Sequence, residues 1–133
     1  MKITHKKIVP AVIIFLTAPA LAQNWHADPI SGCTVFDDED SAANVLVSWS
    51  GGCDDGNRAQ GNGVLSWLED GKLVGRYEGL MLGGKANGRG VMYVAAEQGG
   101  YDRFEGVFKD NEINGHLRAR TANGIEFEGR MNS

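Results

Sequence analysis

The chain has 133 residues, 42% of them hydrophobic, with a net charge of −4 and two cysteines. That length is one small domain. The acidic balance argues against binding a phosphate backbone or an anionic lipid surface, both of which need clustered Lys and Arg.

Lys2, Lys6 and Lys7 precede an apolar stretch, Ile8 to Leu16, broken only by Pro10. Thr17-Ala18-Pro19-Ala20-Leu21-Ala22 then supplies the small residues of an A-x-A cleavage site. The apolar run falls short of the roughly 20 residues that span a bilayer. A signal peptide over 1–22, cleaved after Ala22, is expected in preference to an uncleaved anchor. Gln23 follows the site, so a lipid anchor on a cysteine there is not expected. The expected location is the periplasm or the outside of the cell, with no stable membrane insertion after cleavage. Removing three lysines leaves 10 Lys and Arg against 17 Asp and Glu, a net charge of −7.

Gln23 to Gly32 reads as an extended, partly mobile lead-in. Cys33-Thr34-Val35-Phe36 and Val45-Leu46-Val47-Ser48-Trp49 are β-branched and aromatic, and are expected to pair as a first hairpin. With the lead-in, that hairpin makes a first region over 23–48. Asp37, Asp38, Glu39 and Asp40 lie between its strands, where four like charges belong on a solvated loop. Cys33 and Cys53 are an even pair in an exported chain. They are expected to form one disulfide, tying the hairpin to the array that follows. Two free thiols or a metal pair are the competing reading, but zinc wants four ligands and the mature chain adds only His26 and His116 as nitrogen donors.

A repeat fills 49–133. The triplets Tyr77-Glu78-Gly79, Phe104-Glu105-Gly106 and Phe127-Glu128-Gly129 start 27 and then 23 residues apart. Gly61-Asn62-Gly63 recurs as Gly88-Arg89-Gly90 and again as Gly115-His116-Leu117. Such periods mean stacked supersecondary units. Each unit is read as strand, turn and return strand. Val64–Leu68 turns at Asp70-Gly71 into Leu73–Glu78. Val91–Ala95 turns at Gly99-Gly100 into Tyr101–Glu105. Leu117–Thr121 turns at Asn123-Gly124 into Ile125–Glu128. All three turn pairs tolerate positive φ. The fold class is therefore all-β, an antiparallel meander of stacked hairpins with a disulfide-tied N-terminal hairpin. Alternation places Tyr77, Phe104 and Phe127 on one face with Leu65, Trp67, Met92 and Val94. Arg76, Glu78, Arg103 and Glu105 fall on the other, and the array is expected to weaken toward its C-terminus.

The spacing of these residues resembles MORN repeats, in which an aromatic-Glu-Gly triplet is followed by a Gly, then Gly-x-Gly and a hydrophobic strand. Tyr77-Glu78-Gly79, Gly84 and Gly88-Arg89-Gly90-Val91-Met92-Tyr93 carry the match. Phe104-Glu105-Gly106 with Gly115 matches in part, since Leu117 replaces the second Gly. Phe127-Glu128-Gly129 begins a unit the chain does not complete. Trp49-Ser50-Gly51, Gly56 and Gly61-Asn62-Gly63 resemble a further unit, and Trp49-Ser50-Gly51-Gly52-Cys53 with Cys33 upstream resembles exported bacterial members. The resemblance implies an antiparallel hairpin array acting as a binding, scaffolding or dimerising module. The lipid association of some members needs anionic head groups and basic residues, whereas this chain is acidic overall and is expected to be exported.

Candidates for chemistry have plainer readings. His116 replaces Asn62 and Arg89 of the other units and reads as a surface residue. Asp37–Asp40 with Asp54-Asp55 lacks the EF-hand spacing. Glu78 and Glu105 could be drawn as a glycosidase pair, but the pair recurs because the repeat does. The glycine pairs lack the helix N-terminus of a phosphate loop. Trp67 reads as core, while Tyr93 falls on the opposite face. No catalytic residue, cofactor or metal is expected. The leading expectation is an exported, non-enzymatic binding or scaffold module that meets a protein partner or a second copy. The alternatives are a periplasmic inhibitor or immunity-type protein that neutralises a basic toxin or enzyme, and a cell-wall glycan hydrolase. Tyr93, His116 and the Asp37–Asp40 run are the expected interaction residues, together with the unfinished last strand.

Overall fold

The structure, a computed structural model, describes residues 24–38 and 44–131. The expected signal peptide, Glu39 and Asp40 lie outside the described residues. Among the described residues there are ten strands: β1 (Trp25–Ala27), β2 (Thr34–Phe36), β3 (Val45–Trp49), β4 (Gly52–Cys53), β5 (Ala59–Glu69), β6 (Lys72–Leu82), β7 (Lys85–Ala95), β8 (Tyr101–Lys109), β9 (Glu112–Arg120) and β10 (Glu126–Met131). Strands β5 to β10 pair in sequence as an antiparallel meander, and the sheet order is β10-β9-β8-β7-β6-β5-β3. This is the expected class, an all-β array of hairpins.

The strands are longer than their apolar stretches. β5, β6 and β7 each run 11 residues, straight through the glycines. The turn at Asp70-Gly71 is the expected one, with φ of 53° and 80°. At the opposite end, Gly83-Gly84 joins β6 to β7 and Asp110-Asn111 joins β8 to β9, again with both residues at positive φ. The glycines expected to turn the other two hairpins sit instead within five-residue loops, 96–100 and 121–125. Each loop closes with the same pair of backbone bonds, Ala96 N–H to Gly100 O and Gly99 N–H to Ala96 O in the first, Thr121 N–H to Ile125 O and Gly124 N–H to Thr121 O in the second.

The register aligns the repeat into rows. Trp49, Leu65, Tyr77, Met92, Phe104, Ala119 and Phe127 are successive cross-strand partners on the inner face. Two residues along each strand lies a second inner row: Gly63, Gly79, Gly90, Gly106, Leu117 and Gly129. The aromatic row leans over the glycine row. A Cβ at Gly63 would stand 2.7 Å from the Trp49 ring, and one at Gly90 would stand 2.5 Å from the Tyr77 ring. In Gly-x-Gly, then, the second glycine leaves room for a ring. The first serves a left-handed backbone beside it: Gly61, Gly88 and Gly115 have φ of 94°, 89° and 102°. The third unit keeps Gly115, while Leu117 takes the second glycine's place in the row, opposite Gly106, and is itself buried.

The N-terminal segment corrects the expected pairing. β2 does not pair with β3; it pairs with β1, which lies in the expected lead-in, as Trp25↔Phe36 to Ala27↔Thr34. β3 pairs with β5 and extends the large sheet. The reason is where apolar surface needs cover. β1–β2 lies across one end of the inner face, where Phe36 N–H bonds Gly84 O and the Asn111 side chain bonds Phe36 O. Thr34 N–H reaches Asn57 O, and the Trp25 ring fills the space beside Gly84. Under this cover Val35, Val47, Tyr77, Met81, Ala86 and Phe108 form the core. The Cys33–Cys53 disulfide, Cα–Cα 5.5 Å, joins the start of β2 to β4 at the sheet edge. Asp28 adds a polar clamp. Its carboxylate accepts from the Ile30 N–H and, across to β3, from the Trp49 N–H at 2.8 Å.

Candidate functional site

Cover on the inner face ends before the array does. Tyr77 is fully buried, Phe104 is half-buried, and Phe127 is 47% exposed. The triplet aromatics therefore share a row but not an environment. The expectation that Phe127 packs the array is corrected: among the described residues no strand pairs with β10 beyond β9, and Phe127 stays exposed. Val94, also expected on the packed face, is exposed for want of a covering element. Trp67 is half-buried, with its indole against Gly75.

A shallow hollow of about 440 Å³ opens on this face. Its lining is mainly apolar, from Met92, Phe104, Phe108, Ile113 and Met131, with Asn111 and Glu112 at the rim. Asn111 is held rigid by its place in the fold. Its side-chain oxygen accepts from Ala86 N–H at 2.7 Å while its amide nitrogen donates to Phe36 O at 3.0 Å. Sequence reading did not single out Ile113, Phe108 or Met131. The available signal was alternation carried past the glycines, which places all three on the inner face.

One wall of the hollow belongs to the edge strand. Among the described residues, β10 is bonded to β9 on one side and to no strand on the other, and all six of its residues are exposed. An unpaired edge of this kind is a template for another strand.

The outer face is a lattice of opposite charges. Arg76 pairs with Glu78, Arg103 with Glu105 at 3.3 Å, Arg118 with Glu128 at 3.4 Å and Arg120 with Glu126 at 3.8 Å. Tyr93 sits in this lattice between its two cross-strand partners, Arg76 and Arg103. The Arg76 guanidinium lies 5.1 Å from its ring centre. Tyr93, followed by Glu105, holds the Arg103 guanidinium more firmly protonated than usual. Glu78 and Glu105 are separated by Val91 in their row and each faces an arginine of its own strand. Their carboxylates are thus engaged in the lattice.

The remaining sequence candidates are not brought together. His116 is on β9, 3.4 Å from Glu128, on the outer face. Asp37 and Asp38 follow β2, where the Asp37 N–H bonds Asn24 O. Gly88 and Gly115 lie at the bulges, and Gly79, Gly90, Gly106 and Gly129 lie in the glycine row. Among the described residues, no cluster of three or more His, Cys, Asp or Glu could hold a metal ion, and no helix is long and apolar enough to cross a membrane.

Within the described residues, fold and surface together define a class, a hairpin array covered at its N-terminal end and unpaired along β10. No protein-family model and no curated protein sequence matches the chain.

Proposed function

We propose that this protein is an exported, non-enzymatic binding module of MORN-like architecture, and that it recognises a protein partner at the open C-terminal end of its array. The observation that carries this reading is a coincidence on one strand. Met131 of β10 lines the apolar hollow, and the same strand presents an unpaired backbone edge. Strand addition draws affinity from the backbone edge and specificity from side-chain pockets beside it. Export is supported by the signal-like N-terminus and by the disulfide, which belongs to an oxidising compartment.

Affinity capture from an envelope extract tests the reading. The wild-type protein is expected to retain a partner that is lost with Met131→Asp and kept with Arg89→Ala, on the outer face. Retention unchanged by Met131→Asp counts against the open end.

A further inference from the structure

We propose that the occupant of the open edge is a second copy of this chain, with β10 pairing antiparallel to itself about a twofold axis at Gly129. This deepens the binding role proposed above by naming a partner for one element of that surface.

The backbone decides which groups are available. Thr121 N–H bonds Ile125 O, so these two residues face each other as a hydrogen-bonded pair. Bonded and non-bonded pairs alternate along an antiparallel ladder. With the register Ala119↔Phe127, Leu117↔Gly129 and Gly115↔Met131, those three pairs are the bonded ones. Phe127, Gly129 and Met131 thus spend their N–H and C=O groups on β9. Glu126, Glu128 and Arg130 direct theirs to the open edge.

A second β10 must therefore oppose Glu126, Glu128 and Arg130 with residues of the same set. Only a few axes do so. An axis at Glu128 places that carboxylate opposite itself, and an axis at Phe127 places Glu126 opposite Glu128. An axis at Arg130 opposes two guanidinium groups. With the axis at Gly129, Glu128 meets the partner's Arg130 and Arg130 meets the partner's Glu128. Opposed unlike charges favour pairing and like charges oppose it.

The same register suits both faces. On the inner face Phe127 lies opposite the partner's Met131, so the exposed side chains of each copy cover the other's. Gly129 meets the partner's Gly129 at a non-bonded position, where Cα atoms approach to roughly 4.5 Å. Each row of the sheet also continues across the axis. The glycine row that runs from Gly63 to Gly129 gains another glycine. The outer row Glu105, Arg118, Glu128 gains the partner's Arg130 and keeps its alternation of sign.

Sedimentation velocity over a concentration series tests the proposal. The wild type is expected to dimerise reversibly. Glu128→Arg or Arg130→Glu alone opposes like charges at two symmetry-related places and is expected to weaken the dimer roughly tenfold or more. The double variant E128R/R130E restores opposite charges in this register and is expected to return to within a few-fold of wild type. Glu128→Pro removes an N–H that points to the open edge and leaves the β9 ladder intact. It is expected to stay monomeric with an unchanged far-UV spectrum; should it fail to fold, the charge exchange carries the test. A monomer at all concentrations overturns the proposal. So does a dimer that survives Glu128→Pro, or a double variant no better than the single ones. A wild-type monomer that still captures a foreign protein through Met131 would overturn this inference and leave the proposed function standing.

Discussion

The Tyr77 ring rests on Gly90 of the neighbouring strand, so closely that a Cβ there would stand 2.5 Å from Cε1. The phenol oxygen is fixed as well, donating to Leu80 O at 2.8 Å. Ring, glycine and carbonyl form one packed unit at the centre of the array. Gly90→Ala should cost about 1–3 kcal/mol by overpacking, measured by urea unfolding.

Burial pushes the Tyr77 hydroxyl up to about 12, against 10.0 for an ordinary tyrosine. The folded state thus holds this proton after the unfolded chain has released it. Stability from this group is complete below about pH 10 and falls as pH rises from 10 toward 12. The loss is on the order of 2–3 kcal/mol. Tyr77→Phe should remove this alkaline limb and lower neutral stability by about 1 kcal/mol through the lost hydrogen bond. Equal alkaline slopes in the two proteins would contradict the assignment.

One row holds the same residue class in three environments. Tyr77→Ala should cost about 3–5 kcal/mol, as truncation of a buried aromatic does. Phe104→Ala should cost less, and Phe127→Ala less than about 1 kcal/mol, because Phe127 is 47% exposed. Three equal costs would mean that the array is covered along its whole length.

Asp28 joins the N-terminal segment to the large sheet. The hydrogen bond from Trp49, opposed by burial and aided by bonds from Ile30 and Ser31, holds its carboxyl below the ordinary 3.8. Its contribution is present above pH 3.8 and is lost as pH falls through the depressed folded value. Asp28→Ala leaves the Trp49 N–H buried without a partner and should cost about 1–3 kcal/mol at neutral pH. The gap between variant and wild type should narrow in acid unfolding curves.

The disulfide closes a loop between residues 20 apart in sequence. Replacing Cys33 and Cys53 together with Ser should cost about 3 kcal/mol in thermal or urea unfolding. Mass spectrometry of the wild type should show a gain of two hydrogen atoms on reduction.

The fold class was legible because alternation and the triplet repeat act locally, and Asp70-Gly71 announces its turn in two residues. What escaped reading depends on distant partners. Asp110-Asn111 contains no glycine, yet both residues have positive φ. Asn111 is held there by bonds to Ala86 and Phe36, far away in sequence. β1 is only three residues long and becomes a strand through its pairing with β2. The hollow was missed for the same reason. Phe108 and Ile113 lie on the inner face only because β8 and β9 continue past Gly106 and Gly115. The charged outer face followed from alternation alone, and Tyr93 stands where alternation put it.

Residue-resolved amide exchange across a dilution series tests the role of the open edge most directly. The amides of Phe127 and Gly129, bonded to β9, should keep the same protection at every concentration. Those of Glu128 and Arg130, which face outward, should exchange slowly in concentrated solution and quickly on dilution. Fast exchange at Glu128 and Arg130 at all concentrations would contradict the pairing of β10 with a second copy.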